Sequence, residues 1–354
     1  MLTHEFIRVF ALSERPDSRV VLVDRGDELL AVADFGRKTV VRIGRNGGGP
    51  EEYRFPGRLA PMAGDSLMVA DDGNNRLVVL GPDLKIHRVA NGRAPGLQFE
   101  LSPRVVDQAG RFYSVVPGWM LQIERPDSLP VVRFVPGAGS METIARLRAS
   151  PEPPPPPRRD RPTFSVLAFA PGDSWAVTPA GRVAIVRAAD FRIEWIEPNG
   201  RRIAGPRVEW KPVRVTAKDR SDRVRQMLIT GGTSGKGGAD RPPGGLSPVT
   251  ADMMTDRAVL EMVANMTFAD TKPAFTDAAP IIAPGGTLWV ERSVASGTPA
   301  TWDQFDAAGR PSGSRQLPAG RRLVGVGRSH LYAVATDEDG IERLERYPLT
   351  GEPH

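Results

Sequence analysis

Ser66 stands in the string Gly64-Asp65-Ser66-Leu67, where a serine hydroxyl at a turn could serve as a nucleophile. At neutral pH such a hydroxyl needs a base within hydrogen-bond reach, and the base needs a group to orient it. The chain has four histidines, His4, His87, His330 and His354. An Asp-x-x-His string would supply base and orienting carboxylate together. The residues three positions before the histidines are Met1, Leu84, Gly327 and Gly351, so no such string exists. Cysteine is absent, which removes thiolate nucleophiles, disulfides and cysteine metal sites.

Three other strings could do chemistry. GGTSGKGG, residues 231–238, looks like a phosphate loop, which needs Gly, four residues, then Gly-Lys-Ser/Thr. Thr230 stands where the first Gly belongs and Gly237 where the magnesium-binding hydroxyl belongs, so it reads as a flexible loop. Asp71-Asp72-Gly73-Asn74-Asn75 offers closely spaced oxygens that would suit calcium. Counted from Asp71, the twelfth position is Pro82 rather than Glu, so these residues read as a turn whose side chains bond the backbone. Asp107 and Asp173 lie near candidate inner strands, where a metal-binding central channel would draw its ligands. No histidine pair has the spacing of a short metal motif. No catalytic, cofactor-binding or metal set is therefore expected, and no cofactor.

The elements that must position these residues come from an internal repeat. GDELLAVADFGRKTVVRIG (26–44) aligns with GDSLMVADDGNNRLVVLG (64–81), with Val32-Ala33-Asp34 on Val69-Ala70-Asp71. Each copy reads as strand, polar turn, strand. In this alignment Glu28 falls where Ser66 stands, which suits a turn position better than a nucleophile. Four fainter copies follow at 109–147, 180–203, 285–313 and 328–349. Gly26 to Gly64 is 38 residues, Gly64 to Gly110 is 46 and Gly286 to Gly327 is 41. Units of this length with four short strands are the signature of propeller blades. The expectation is an all-β, six-bladed β-propeller spanning 1–354 as a single domain, closed by the opening HEFIRVFAL as outer strand of the last blade.

Two stretches break the rhythm. Residues 151–162, PEPPPPPRRDRP, read as a stiff connector, because a proline run favours an extended helix without backbone donors. Residues 211–277 read as a helical and Gly-rich insertion. Thr216-Ala217-Lys218-Asp219 resembles a capping box ahead of KDRSDRVRQMLIT. A second helix is expected over TADMMTDRAVLEMVANM with Thr250 as cap, and with Val259, Val263 and Met266 on one face.

The net charge is +5, from 41 arginines and six lysines against 42 acidic residues. A basic chain favours acidic partners. Only Arg158, Arg159 and Arg161 cluster tightly, without interleaved aromatics, which disfavours nucleic acid and leaves an anionic lipid surface or an acidic protein. Five of the ten methionines, Met227, Met253, Met254, Met262 and Met266, lie in the insertion. Methionine adapts to irregular surfaces. These eight residues are the candidate partner-docking set, with packing of the hairpin onto its own blade as the other reading of the methionines.

Two resemblances follow from these strings. Gly64-Asp65-Ser66-Leu67 resembles the nucleophile string of GDSL-type esterases and lipases, but their second signal is missing. RNGGGPEEYRFP followed by GDSLMVADDGNNRLVVLGPDLK resembles the NHL-type six-bladed propellers of bacteria. Gly49-Pro50-Glu51, Tyr53 and Pro56 match the lead of their repeat, and Asp71, Gly73, Asn74, Arg76, Leu77 and Val79 its core. Residues 267–313 resemble the late blades of large members of this group. The resemblance implies the fold and an extracytoplasmic, periplasmic setting. The N-terminus lacks the features of a signal peptide, so a cytoplasmic setting is the alternative. Fold does not fix function. The expected role is a non-catalytic scaffold, an accessory subunit bracing a larger and possibly membrane-bound complex. The alternatives are a metal-dependent, lactonase-like propeller enzyme or a sugar- or peptide-binding sensor.

Overall fold

The structure is a computed structural model that describes residues 2–90, 94, 105–117, 120, 127–135, 137–150, 167–231, 255–337 and 340–349. It is a six-bladed β-propeller. Blade 1 runs from its inner strand Val9–Glu14 through Val20–Asp24 and Leu29–Asp34 to Thr39–Arg42. Blade 2 has Pro56–Pro61, Leu67–Asp71, Arg76–Leu80 and Ile86–Ala90 in the same order. Blade 3 has Val105–Val106, Phe112–Val115, Ser128–Phe134 and Met141–Arg148. Blade 4 has Ser174–Val177, Val183–Arg187, Arg192–Ile196 and Arg202–Ala204. Blade 5 has Ile281–Ile282, Leu288–Arg292, Thr301–Phe305 and Pro311–Gln316. Blade 6 has Arg321–Val326, His330–Thr336 and Glu342–Pro348.

The outer edge of blade 6 is covered by residues 2–6, while Val9–Leu12 of the expected closing stretch go instead to the inner strand of blade 1. Phe6 and Glu342 form an antiparallel bridge with N–H···O distances of 2.8 and 2.7 Å, and the Leu2 amide donates to Leu344 at 3.2 Å. Leu2 and Phe6 are fully buried.

Why the second strands read as unbroken apolar runs is now clear. Each lies in a sheet packed on both faces, so both sets of alternating side chains are buried. Val20 and Leu22 pack toward blade 6 with Tyr332 and Val334, while Val21 and Val23 pack toward blade 2 with Leu67 and Val69. The same division recurs around the ring, down to Trp289 and Trp302 of blade 5 against Leu323 and Leu331 of blade 6.

The structure corrects the repeat alignment. Val69-Ala70-Asp71 closes the second strand of its blade, but Val32-Ala33-Asp34 closes the third strand of blade 1. The true counterpart of Asp71 is Asp24, which ends the second strand of blade 1. Successive hairpins of a meander share one pattern, so a slip by one strand leaves the apolar match intact. The turn backbone confirms the new register: Ser18 and Asp65, and likewise Glu28 and Asn75, have positive φ.

Antiparallel order gives the ring two unlike faces. Inner-to-second and third-to-outer turns share one face and are tight, such as Gly81–Lys85 and Asp306–Arg310, each closed by a backbone hydrogen bond. The described second-to-third turns and blade-to-blade connections share the other face, here the connection face.

The helices lie in the connection from blade 4 to blade 5. Helix α1 (Ala217–Gly231) opens on the expected capping box, in which Thr216 and Asp219 exchange hydrogen bonds of 2.7–3.2 Å. Helix α2 (Asp256–Ala264) starts later than expected, with Thr255 rather than Thr250 as cap; Thr250 lies outside the described residues. Val224, Leu228, Val259 and Met266 form a small core of the hairpin with Ala168, beside Phe169.

Candidate functional site

Several charged groups of the connection face lie at the mouth of the central channel, where the inner strands begin. Glu342 heads the third strand of blade 6 and is 1% exposed. Its carboxylate accepts from the Val9 amide at 2.7 Å, from Arg8 Nη1 at 3.2 Å and from Arg322 Nη2 at 2.8 and 3.0 Å. Arg322 also donates to the Val9 carbonyl at 3.1 Å, which fixes its guanidinium across the seam between blades 6 and 1. Burial and the neighbouring Arg322 both lower the Arg8 pKa, against the pull of Glu342.

Glu291 lies next along the mouth, near the end of the second strand of blade 5. It is opposite Trp302 in the strand pair, on the face turned to blade 6. Thr276 Oγ1 donates to Glu291 Oε2 at 2.7 Å, and the Thr276 amide donates to the Glu291 carbonyl at 3.0 Å. Burial pushes the Glu291 carboxyl above the ordinary glutamate range, and the nearby Asp277 pushes the same way. The Thr276 hydrogen bond and Arg322 only partly offset them. Trp302 Nε1 is buried in the same seam with no hydrogen-bond partner among the described residues. Asp277 is held by Arg223 of α1, so the insertion reaches this edge of the mouth.

Between blades 1 and 2 the mouth is lined by an aromatic flanked by cations. The Arg25 guanidinium lies 4.5 Å and that of Arg58 5.8 Å from the centre of the Phe10 ring. Arg25 pairs with Asp72 at 2.5 Å. Asp72 keeps 35% of its side-chain surface, yet burial raises its pKa despite Arg25 and Arg58. Arg8, Phe10, Arg25, Arg58, Asp72, Glu291 and Arg322 thus come from four blades to one end of the axis.

Sequence reasoning missed this group. No two of its members from different blades are near in sequence, and each alone looks like one more surface charge in an arginine-rich chain. Of the residues it singled out, Asp72 belongs to this group and Asp173 lies on the same face, just before the inner strand of blade 4; the others fall elsewhere. Ser66 follows a turn on the tight-turn face, where Gly64 and Asp65 have positive φ and the Ser66 carbonyl accepts from Met62. Among the described residues its hydroxyl is bonded to no histidine. Asp107 and Asp173 do not converge: they lie on opposite faces. Asp107 accepts from Ala109, Arg111 and Tyr113, and Asp173 from Arg148, Arg187 and Ala188. Asp71 is likewise consumed by its own turn, by the Arg54 amide, Asn74 and Arg76.

Of the docking set, Met227, Met262 and Met266 pack within the hairpin's own cluster. Met253, Met254, Arg158, Arg159 and Arg161 lie outside the described residues, as does the loop after Gly231. Among the described residues no three His, Asp or Glu side chains gather so as to hold a metal ion. The mouth does not fit the metal-dependent form of the enzymatic alternative, because its carboxylates are held by arginines or hydroxyls.

No protein-family model and no curated protein matches the chain. Solved structures do. A gluconolactonase from Xanthomonas campestris is 12% identical, with 98% of this chain and 87% of that chain covered and a TM-score of 0.44. Virginiamycin B lyase from Staphylococcus aureus is 8% identical over 99% and 87% of the two chains, with a TM-score of 0.42. The calcium-binding protein regucalcin from Agrobacterium tumefaciens is 10% identical over 99% and 94%, with a TM-score of 0.43. These likenesses concern the fold. They correct one expectation nonetheless. The non-catalytic scaffold finds no counterpart among them, where a lactonase, a lyase and a calcium-binding protein stand instead. The chain is a six-bladed β-propeller whose polar site lies at the channel mouth on its connection face.

Proposed function

We propose that the protein is an enzyme of the hydrolase or lyase type, acting on a small polar molecule at the channel mouth, with Glu291 as its acid–base group. The observation that carries this reading is the setting of Glu291. It is a carboxyl of raised pKa, held by Thr276, close enough to Arg322 to feel its charge, at the end of the axis where inner strands converge. A carboxyl whose neutral form is favoured is better placed to give a proton than an ordinary glutamate. Arg322, anchored on Glu342, stands beside it to stabilise negative charge developing on the substrate. Thr276 orients the carboxyl, and α1 shields this side of the mouth through Arg223 and Asp277. The repeat signature around Asp71 supports grouping the ring with the NHL-type propellers.

The test is a panel of aliphatic and sugar lactones, esters and β-substituted acids, followed by proton release and by loss of substrate. Turnover is expected for at least one class, with Glu291→Gln slower by about 10²- to 10⁴-fold. Thermal unfolding of the variant near that of the wild type would separate lost chemistry from a lost fold. Absence of turnover across the panel, or an unchanged rate in Glu291→Gln, overturns the reading.

A further inference from the structure

We infer that the molecule bound at the mouth carries an oxyanion, a carboxylate or phosphate, and that the paired guanidinium groups of Arg8 and Arg322 receive it. This rests on the mouth being the working site, and adds the charge of its ligand.

The charge balance around Glu342 is uneven. Arg8 and Arg322 both pair with this one carboxylate, and among the described residues neither has a second acidic partner. Glu342 also accepts from the Val9 amide, so its oxygens are fully used. The next carboxyl, Glu291, favours its neutral form more than an ordinary glutamate does and pairs with a hydroxyl rather than with a cation. Further round the mouth, Arg25 and Arg58 face Phe10 with Asp72 beside them. Four guanidinium groups, Arg8, Arg25, Arg58 and Arg322, thus stand against the carboxylates of Asp24, Asp72 and Glu342, with Glu291 the acid that favours its neutral form.

The free donors point the same way. Arg8 uses Nη1 for Glu342, and Arg322 uses Nη2 for Glu342 and the Val9 carbonyl. The remaining nitrogens, Nε and Nη2 of Arg8 and Nε and Nη1 of Arg322, have no partner among the described residues, and none is among the buried unpaired atoms. Both side chains keep exposed surface, 26% for Arg8 and 37% for Arg322. Arginine presents its donors as a planar fork that matches carboxylate or phosphate geometry. Both forks are held in place from behind by a buried acid, so little side-chain freedom remains to be lost on binding.

Isothermal titration of the whole chain with inorganic phosphate and, separately, with malonate tests this. Saturable binding of at least one is expected, and whichever binds identifies the oxyanion class. Arg8→Gln leaves the Arg322–Glu342 pair in place and should weaken that binding by about 10- to 100-fold. Arg146→Gln, on the exposed outer strand of blade 3, should leave it unchanged. No saturable binding, equal binding in Arg8→Gln, or equal weakening in Arg146→Gln overturns the inference. The two readings fail separately. Turnover of a neutral lactone without anion binding sinks only this one. Anion binding that depends on Arg8, without any turnover, sinks only the proposed chemistry.

Discussion

Asp71 does for blade 2 what Asp24 does for blade 1, and the two stand 47 residues apart, 71 minus 24. Both are fully buried. Asp24 accepts from the Ile7 and Arg8 amides at 2.7 and 2.8 Å, Asp71 from the Arg54 amide at 2.7 Å. Each ties the end of a second strand to the backbone that leads into its own inner strand. Through Arg8, the Asp24 tie also sets one wall of the mouth.

Asp71→Ala removes the partner of a buried arginine contact and leaves the Arg54 amide unpaired. A loss of about 3–5 kcal/mol is expected, read from the midpoint of urea unfolding. Ser66→Ala, five residues earlier in the chain, should stay within about 0.5 kcal/mol and leave any turnover untouched. A large effect at Ser66 would revive the nucleophile reading.

Closure of the ring depends on Phe6. Phe6→Ala empties a fully buried site between blades 6 and 1 and should cost about 3–5 kcal/mol. Deletion of residues 2–6 should cost more, because it also exposes the edge of the Glu342–Pro348 strand. Unfolding midpoints that match the wild type would show that the ring closes without this strand.

Glu291 makes a pH prediction of definite sign. Its folded pKa lies above the unfolded value of about 4.5, so the folded state binds this proton more tightly. Its contribution is fully present below the unfolded pKa and is lost as pH rises through the raised one. Glu291→Gln should therefore gain stability relative to the wild type as pH rises from about 4 to about 7. Asp219 has the opposite sense. Burial pushes its carboxyl up, but Lys272 and Thr216 outweigh it and hold the pKa down, so its contribution is lost as pH falls. Urea unfolding of Glu291→Gln between about pH 4 and 7, and of Asp219→Asn below about pH 4, separates the two.

The insertion is pinned by one buried cation. Lys272 Nζ lies 2.6 Å from Asp219 of α1 and 2.7 Å from the Val294 carbonyl of blade 5. Lys272→Met leaves Asp219 buried without its cation and should loosen α1. Limited proteolysis should cut between residues 205 and 280 faster, and Lys272→Met with Asp219→Asn should recover part of the loss. Unchanged cutting would mean the hydrophobic cluster around Val224 holds the hairpin alone.

The sequence alone determined the ring. Apolar runs such as Val20–Val23 and Leu67–Ala70, spaced by turn residues, are local signals that repeat, and repetition at blade length leaves one architecture. It also determined the Thr216–Asp219 cap, because that rests on residues a few positions apart. Only the tertiary structure decided the register of the first repeat, since hairpins one strand apart share the same alternation. Only it brought Glu291 to Arg322, and Arg8 to Glu342 across 334 residues of chain. A site at a propeller mouth takes single residues from the ends of several blades, and ring closure, not spacing along the chain, makes them neighbours.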